Sequence, residues 1–304
     1  MKIIFAGTPQ AAVPTLNALI ASSHEVVAVL TRPDAPLGRK RVLTPSPVAA
    51  VALEHNIPVI YANTIDGDIQ NQIDAYKPEV GVVVAYGALL PQATLDSLEQ
   101  GWLNLHFSAL PEWRGAAPVQ WQIISGATTL GSTVFSLVKE LDAGDVFTTE
   151  LHPLLTDETS GEALARLSEL GATQVLNVVD SIENGSAVLT PQTGEASYAR
   201  KLGLEDGHLD TSQPFLQVYD RFRGVTPEPG AYVYLDGERL KIHSARQASH
   251  VITSTGLITS RDKKLFLGCS GGSLELLTVQ PSGKQSMNAM DWFRGLHREE
   301  VTVS

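Results

Sequence analysis

The hydrophobic period changes along this chain, and that change limits the folds open to it. Up to about residue 185, short aliphatic runs alternate with segments of helical spacing; beyond about Asp210, apolar residues recur at every second position. Lys2 to Ala6 reads as a buried strand, Gly7-Thr8-Pro9 as a turn, Ala11 to Ala21 as a helix and Glu25 to Leu30 as the next strand. Strand, helix and strand in that order predict a βαβ unit in a parallel sheet. The run Val80 to Ala85 predicts a central strand ending at Tyr86-Gly87, the end at which open α/β sheets place their crevices. Gly7-Thr8-Pro9 is not a G-x-G-x-x-G fingerprint, and no acidic residue follows at the cofactor-binding distance, so a nicotinamide fold has little support.

Thr159 to Ile182 predicts a helix with Ala163, Leu164, Leu167, Leu170, Val175, Leu176 and Val179 on one face. Thr159 and Glu162 fit a capping box at its start, and Gly171 weakens the case for an unbroken helix. The Gly-, Ser- and Thr-rich stretch after Glu183 predicts a linker with room for a short helix at Tyr198 to Leu202. Ala231 to Leu235, Asp236-Gly237 and Glu238 to Ile242 predict a hairpin, since Asp-Gly suits the positive φ angles of a type I′ turn. Further strands are expected near Val251 to Ile258, Lys264 to Leu267 and Ser273 to Val279, with a helix over Asn288 to Leu296. The expected architecture is α/β: a Rossmann-like domain with a parallel-rich sheet over residues 1–185, a linker over 186–209, and a small OB-like β-barrel of about five strands over 210–304.

Charge divides at the same place. Residues 1–209 hold 11 basic and 23 acidic groups, a net of −12, and residues 210–304 hold 11 and 10, a net of +1. A formal charge of −11 argues against a protein held mainly by non-specific phosphate contacts, so an anionic partner would need locally concentrated cations. The single cysteine, Cys269, excludes an internal disulfide framework and fits a reducing compartment. No aliphatic run approaches the roughly 18 residues of a membrane span. The opening residues do not read as a signal peptide, because a glycine and a proline follow the first strand-like run. A cytoplasmic protein is expected; without coiled-coil heptads, so is a monomer.

Chemistry concentrates in Asn104-Leu105-His106-Phe107-Ser108-Ala109-Leu110-Pro111, continuing to Arg114-Gly115-Ala116-Ala117-Pro118. On a strand over Leu103 to Phe107, Asn104 and His106 point to one side. Asn offers a donor for a developing oxyanion, and His can hold or pass a proton near neutral pH. An isolated Asn-x-His in a strand is more often a local hydrogen-bonding or surface pair. Asp142, in Leu141-Asp142-Ala143-Gly144-Asp145 after the strand-like Ser132 to Val138, is the best carboxylate partner, although spacing does not prove contact. The eight histidines form neither H-E-x-x-H nor a Cys/His ligand cluster, and neither a phosphate loop nor a nucleophile elbow is present, so no metal is expected. Arg39-Lys40-Arg41, in a Pro- and Gly-containing loop, could contact phosphates or form an ordinary solvated turn.

These segments resemble the methionyl-tRNA formyltransferases over nearly the whole chain. The likeness runs through Ile3 to Pro9, Arg32 to Arg41 with Pro45-Ser46-Pro47, Val83 to Gly87, Asn104 to His106, Ser108 to Pro111, Trp113 to Pro118 and Leu141 to Asp145. It continues through Gln280-Pro281, Gly283-Lys284 and Met287. The resemblance implies transfer of formyl from 10-formyltetrahydrofolate to the α-amine of methionyl initiator tRNA, with neither DNA nor membrane as partner. It maps Asn104, His106 and Asp142 onto the catalytic trio: Asn104 and a protonated His106 stabilise the oxyanion, and Asp142 orients His106 and assists proton removal. It places the folate along Tyr86, Gly87, Ala88, Leu89 and Leu90, along Ser108, Ala109, Leu110 and Pro111, and near Leu137 and Leu141. Arg39, Lys40 and Arg41 would meet the acceptor end of the tRNA, and the barrel would meet its body. The same trio would also serve a formyltransferase acting on an amino sugar nucleotide, and a catalytically idle RNA-binding protein would retain the α/β core without the activity.

Overall fold

The computed structural model describes residues 1–37 and 41–304, so Arg39 and Lys40 of the basic loop lie outside the described residues. Two compact units emerge: Met1–Gly115, Gly131–His152 and Leu164–Tyr198 form the first, and Ala116–Leu130, Pro153–Ala163 and Ala199–Ser304 the second.

The first unit begins with β1 (Lys2–Gly7), α1 (Val13–Ile20) and β2 (Glu25–Thr31), followed by the short β3 (Ala35–Leu37) and β4 (Val42–Thr44). Then come α2 (Pro47–Glu54), β5 (Val59–Tyr61), α3 (Gly67–Ala75), β6 (Val80–Val84), α4 (Gln92–Leu95), β7 (Trp102–His106) and β8 (Arg114–Gly115). After α5 (Pro118–Ile124) of the second unit, β9 (Thr129–Ser136), β10 (Val146–Pro153) and α6 (Ser160–Glu183) complete the main elements. The sheet order is β10-β9-β7-β6-β1-β2-β5. β1 pairs in parallel with both β2 and β6, β6 with β7, and β9 runs antiparallel to β7. The chain leaves β1 in one direction for β2 and β5 and in the other for β6 and β7. Their junction is a topological switch point, the position at which such sheets bind ligands outside the carboxyl ends of their strands. β6 is buried throughout, as a strand covered on both faces must be.

The helix expected from Thr159 forms without a break at Gly171. Thr159 N–H donates to Glu162 Oε2 at 2.9 Å, and Glu162 N–H reaches Thr159 Oγ1 at 3.4 Å, which closes the capping box. Gly171 is a matter of space: a Cβ there would lie 2.6 Å from Leu105 Cδ2, so glycine lets α6 lie against the strand that carries Asn104 and His106. Ala163, Leu167, Val175 and Val179 are buried, whereas Leu170, expected on the same face, is exposed.

At the boundary of the two units, β11 (Tyr198–Ala199) replaces the short helix expected there. The Ser197 carbonyl accepts from Arg114 N–H at 2.9 Å, a long-range pairing with β8 that draws the segment into extended form. α7 (Phe215–Gly224) was not anticipated, although Phe215, Val218, Tyr219 and Phe222 have helical spacing and all are buried. The β-region comprises β12 (Ala231–Leu235), β13 (Glu238–Ala248), β14 (Leu257–Arg261), β15 (Lys264–Cys269), β16 (Gly272–Gln280), β17 (Met287–Asn288) and, after α8 (Ala289–Gly295), β18 (Glu300–Thr302). That is seven strands rather than about five, in the antiparallel order β12-β13-β16-β15-β14-β18 with β17 on β16. Tyr234 and Ser304 exchange backbone hydrogen bonds at 2.6 and 3.0 Å, joining the two edges of this sheet. Asp236 and Gly237 have φ of 51° and 82°, as a type I′ hairpin requires. The strand expected from Val251 starts only at Leu257, because Gly256 turns the chain at φ 73°. No helix among the described residues is long and apolar enough to cross a membrane.

Candidate active site

Strand alternation sets the first part of the site. Asn104 and His106 lie two apart on β7, paired with Phe135 and Thr133 of β9, so their side chains leave the same face near the strand's carboxyl end. His106 is buried, and its Nε2 lies 2.9 Å from the Trp113 carbonyl. A carbonyl can only accept, so Nε2 carries the proton and Nδ1 of the neutral ring presents a lone pair. That Nδ1 lies 3.8 Å from Asp142 Oδ2. The separation is too long for a hydrogen bond and short enough for an ion pair once Nδ1 is protonated.

Asp142 sits in the β9–β10 connection at φ 48°, a region that costs a non-glycine residue energy and persists only where the surroundings enforce it. The enforcing contacts are specific. Asp142 Oδ2 accepts from Gly115 N–H at 2.8 Å, and Gln192 Nε2 donates to both the Asp142 and the Gly144 carbonyls at 2.8 Å. Gln192 Oε1 accepts from Arg114 Nη2 at 2.7 Å. Asn104 Oδ1 is buried and has no hydrogen-bond partner among the described residues. An orphaned amide oxygen costs about 1–3 kcal/mol, a cost that a substrate N–H or hydroxyl would offset.

Two opposed forces set the protonation of His106. Burial pushes its pKa down; the Asp142 charge and the Trp113 carbonyl push it up by less. An ion pair at about 4 Å is worth on the order of 4 kcal/mol at an effective dielectric of about 20, yet desolvation outweighs it here. His106 is therefore neutral at pH 7, poised to take a proton rather than already holding one. Stability should follow. A histidine whose folded pKa lies below the unfolded value of about 6.5 imposes no penalty above that pH, and stability falls as pH drops through 6.5 towards the folded pKa. Urea unfolding at pH 7.5 and 5.5 should show a greater acid loss for the parent than for His106→Gln. Equal losses in the two would remove the depressed pKa.

The segments expected to hold a folate have distinct surroundings. Tyr86 is buried, its hydroxyl donates to the Ala62 carbonyl at 2.9 Å, and its own carbonyl accepts from Thr8 Oγ1 at 2.8 Å. Gly87 turns the chain at φ 84°, and its carbonyl accepts from Arg32 Nη1 at 2.6 Å. Ala88, Leu90 and Leu137 pack against one core cluster, whereas Leu89 and Leu141 are exposed. The Ser108 to Pro111 turn is pinned from within: Ser108 Oγ donates to the Glu112 carbonyl at 2.6 Å, and Thr133 Oγ1 takes the Leu110 N–H at 3.3 Å. Ala109 is half-buried, and Leu110 and Pro111 are buried. Of the basic loop, Arg41 is exposed at φ 49°.

Sequence reasoning passed over Gln192 and the role of Arg114. Arg114 lies inside the Trp113 to Pro118 motif, but Gln192 lies in a polar stretch without periodicity and gave no signal. Among the described residues, one group has metal-type ligands, His24, Asp180 and Glu183. Asp180 Oδ1 lies 2.9 Å from Nε2 of His24 and Glu183 Oε2 3.8 Å from Nδ1, and one ligand atom from each residue lies within 4.8 Å of the others.

A parallel-rich sheet with a switch point, and Asp142 approaching His106 on the strand that also carries Asn104, fit a group-transfer or hydrolytic α/β enzyme. Residues 1–179 match the family model described as formyl transferase, and residues 201–297 match the formyl transferase C-terminal domain. The chain is 50% identical over 301 residues to the methionyl-tRNA formyltransferase of Leifsonia xyli subsp. xyli, covering 99% of each. It belongs to the methionyl-tRNA formyltransferase family. Solved structures share the fold at low identity. The methionyl-tRNA formyltransferase from Clostridium thermocellum is 16% identical at a TM-score of 0.58, covering 91% of this chain and 99% of that one. The N-formyltransferase from Helicobacter canadensis, in complex with folinic acid and dTDP-3-aminofucose, is 15% identical at 0.69, covering 92% and 99%.

Proposed function

We propose that this chain transfers the formyl group of 10-formyltetrahydrofolate to the α-amino group of methionyl initiator tRNA, giving N-formylmethionyl-tRNA and tetrahydrofolate. The approach of Asp142 to the unprotonated Nδ1 of His106, on the strand face shared with Asn104, carries the chemistry. The likeness to the Leifsonia enzyme over 99% of each chain supports the acceptor. The neutral amine attacks the formyl carbon, and charge grows on the formyl oxygen. Asn104 serves the polar groups of this tetrahedral centre, with its amide nitrogen towards the oxyanion and its unpaired oxygen towards the incoming amine. His106 takes the amine proton at Nδ1, and the imidazolium is then held against Asp142. The bond from formyl carbon to folate nitrogen breaks, that nitrogen takes the proton from the His106 imidazolium, which returns to its neutral form, and tetrahydrofolate leaves as a secondary amine. No step requires a metal or a covalent enzyme intermediate. The folate lies along 86–90 and 108–111, flanked by Leu137 and Leu141.

Residues 1–185 form the catalytic domain in this reading, and residues 210–304 the tRNA-binding domain beyond a linker, in a cytoplasmic monomer. Formyl transfer should favour methionyl initiator tRNA over a dTDP-linked amino sugar by about 100-fold or more in kcat/KM, since an acceptor site built for one polar surface leaves groups unpaired with another. The reverse preference would give the chain to the sugar reaction.

Recognition rests on local charge. The protein is acidic overall, so Arg39, Lys40 and Arg41 must supply short-range guidance to the acceptor strand. Changing all three to Ala should weaken productive use of methionyl-tRNA and flatten its salt dependence by up to about 2 in log–log slope, at about 0.7 for each single-stranded phosphate contact. Folate affinity, measured separately, should hold. An unchanged salt slope would move recognition to other basic residues.

A further inference from the structure

The contacts around Asp142 close a ring. Gly115 N–H holds the carboxylate, Arg114 precedes Gly115 in β8, Arg114 Nη2 binds Gln192 Oε1, and Gln192 Nε2 returns to the carbonyls of Asp142 and Gly144. We infer that Gln192 is a positioning residue for formyl transfer, a clamp that fixes the Asp142 loop to the strand whose amide holds the Asp142 carboxylate. This rests on Asp142 serving the reaction.

The chemistry of the side chain fits the task. Its amide nitrogen faces two carbonyls and its oxygen faces a guanidinium, so every partner agrees on one orientation of the amide; the flipped form would set oxygen against two oxygens. Both carbonyls belong to the Leu141 to Asp145 stretch of the β9–β10 loop, which holds a non-glycine residue at positive φ and returns to the sheet where Ser136 N–H meets the Asp145 carbonyl at 2.8 Å. Arg114 adds a second tie, with Nη1 3.6 Å from Glu140 Oε1. Gln192 is half-buried and touches the backbone of Asp142, not the face of its carboxylate turned to His106. It acts through Asp142.

A displacement of about 1 Å in a reacting group can cost on the order of 100-fold in rate. Gln192→Ala, and Gln192→Met to retain packing, should lower kcat by about 10- to 100-fold with KM for methionyl-tRNA within about threefold. The position of the carboxylate has its own readout, hydrogen exchange at the Gly115 amide. Loss of the clamp should speed that exchange about tenfold or more, while the β1 amides stay protected and report an intact fold. Unchanged Gly115 exchange in both variants overturns the clamp, whatever happens to the rate. Faster exchange with parental kcat also overturns the catalytic role of the clamp, provided Asp142→Asn is slow. If Asp142→Asn keeps the parental rate as well, the accelerated exchange upholds the clamp, and the assignment of Asp142 to the reaction is what fails.

Discussion

Asp142→Asn should slow formyl transfer by about 100-fold or more and leave the protein folded. The two side chains have the same shape, and the amide oxygen can still accept the Gly115 N–H that now meets Oδ2 at 2.8 Å. The clamp through Gln192 also survives, since it holds the backbone carbonyl rather than the side chain. What is lost is the charge 3.8 Å from His106 Nδ1. Burial already pushes the His106 pKa down, and the Asp142 charge is the largest influence in the other direction. Without it the imidazole becomes a weaker base just as the reaction asks it to take the amine proton. Unfolding by urea should differ from the parent by less than about 1 kcal/mol, because the packing volume is kept and the Gly115 N–H keeps its acceptor. Single-turnover rates with saturating methionyl-tRNA and folate separate the chemical step from binding. A folded variant running within a few-fold of the parent would end the proton-transfer role.

The parts of this protein that sequence reveals are those fixed by short-range rules. β1 and β6 announce themselves as aliphatic runs too short for buried helices, and Asp236-Gly237 announces its hairpin by the only φ angles that suit it. Asn104 and His106 share a face because they are two apart on a strand, which needs no tertiary knowledge. Asp142 is different. Its place beside His106 depends on the antiparallel return of β9, on a loop bent through positive φ, and on a side chain 50 residues later. No periodicity encodes such an encounter; the residues alone make Asp142 the best carboxylate partner, and the family resemblance is what gives it a place in the trio. Gln192 escaped both kinds of reasoning. Likewise α7 was missed because the chain beyond Asp210 reads with a period of 2, although Phe215, Val218, Tyr219 and Phe222 stand at helical spacing. The supposed helix at Tyr198 failed for the converse reason. Its local pattern was tolerant, and the Arg114 N–H settled it from outside.

Gly144→Ala should cripple the same reaction by a different physical route. Gly144 does not need glycine's backbone freedom; it needs glycine's lack of a side chain. A Cβ at this position would lie 1.7 Å from the Ser136 carbonyl oxygen and 2.9 Å from its carbon. Backbone atoms cannot rotate aside as a flexible side chain can, and here both walls are pinned. Ser136 N–H donates to the Asp145 carbonyl at 2.8 Å, and the Gly144 carbonyl accepts from Gln192 at 2.8 Å. The loop must therefore lift, breaking one or both bonds and carrying Asp142 with it. Overpacking of this kind costs about 1–3 kcal/mol, occasionally more. For a protein of this size, each kcal/mol lowers Tm by about 2–4 °C. Activity should fall further than stability implies, by about 100-fold, because a shift of about 1 Å at a proton-accepting pair is enough. The contrast with Asp142→Asn is the test: both variants should be slow, but only Gly144→Ala should also melt early. A Gly144→Ala protein with parental Tm and parental rate would mean that the loop accommodates a methyl group and does not hold Asp142 rigidly. Parental Tm with a slow rate would place the strain entirely on the active geometry, and a low Tm with a parental rate would separate the loop from catalysis.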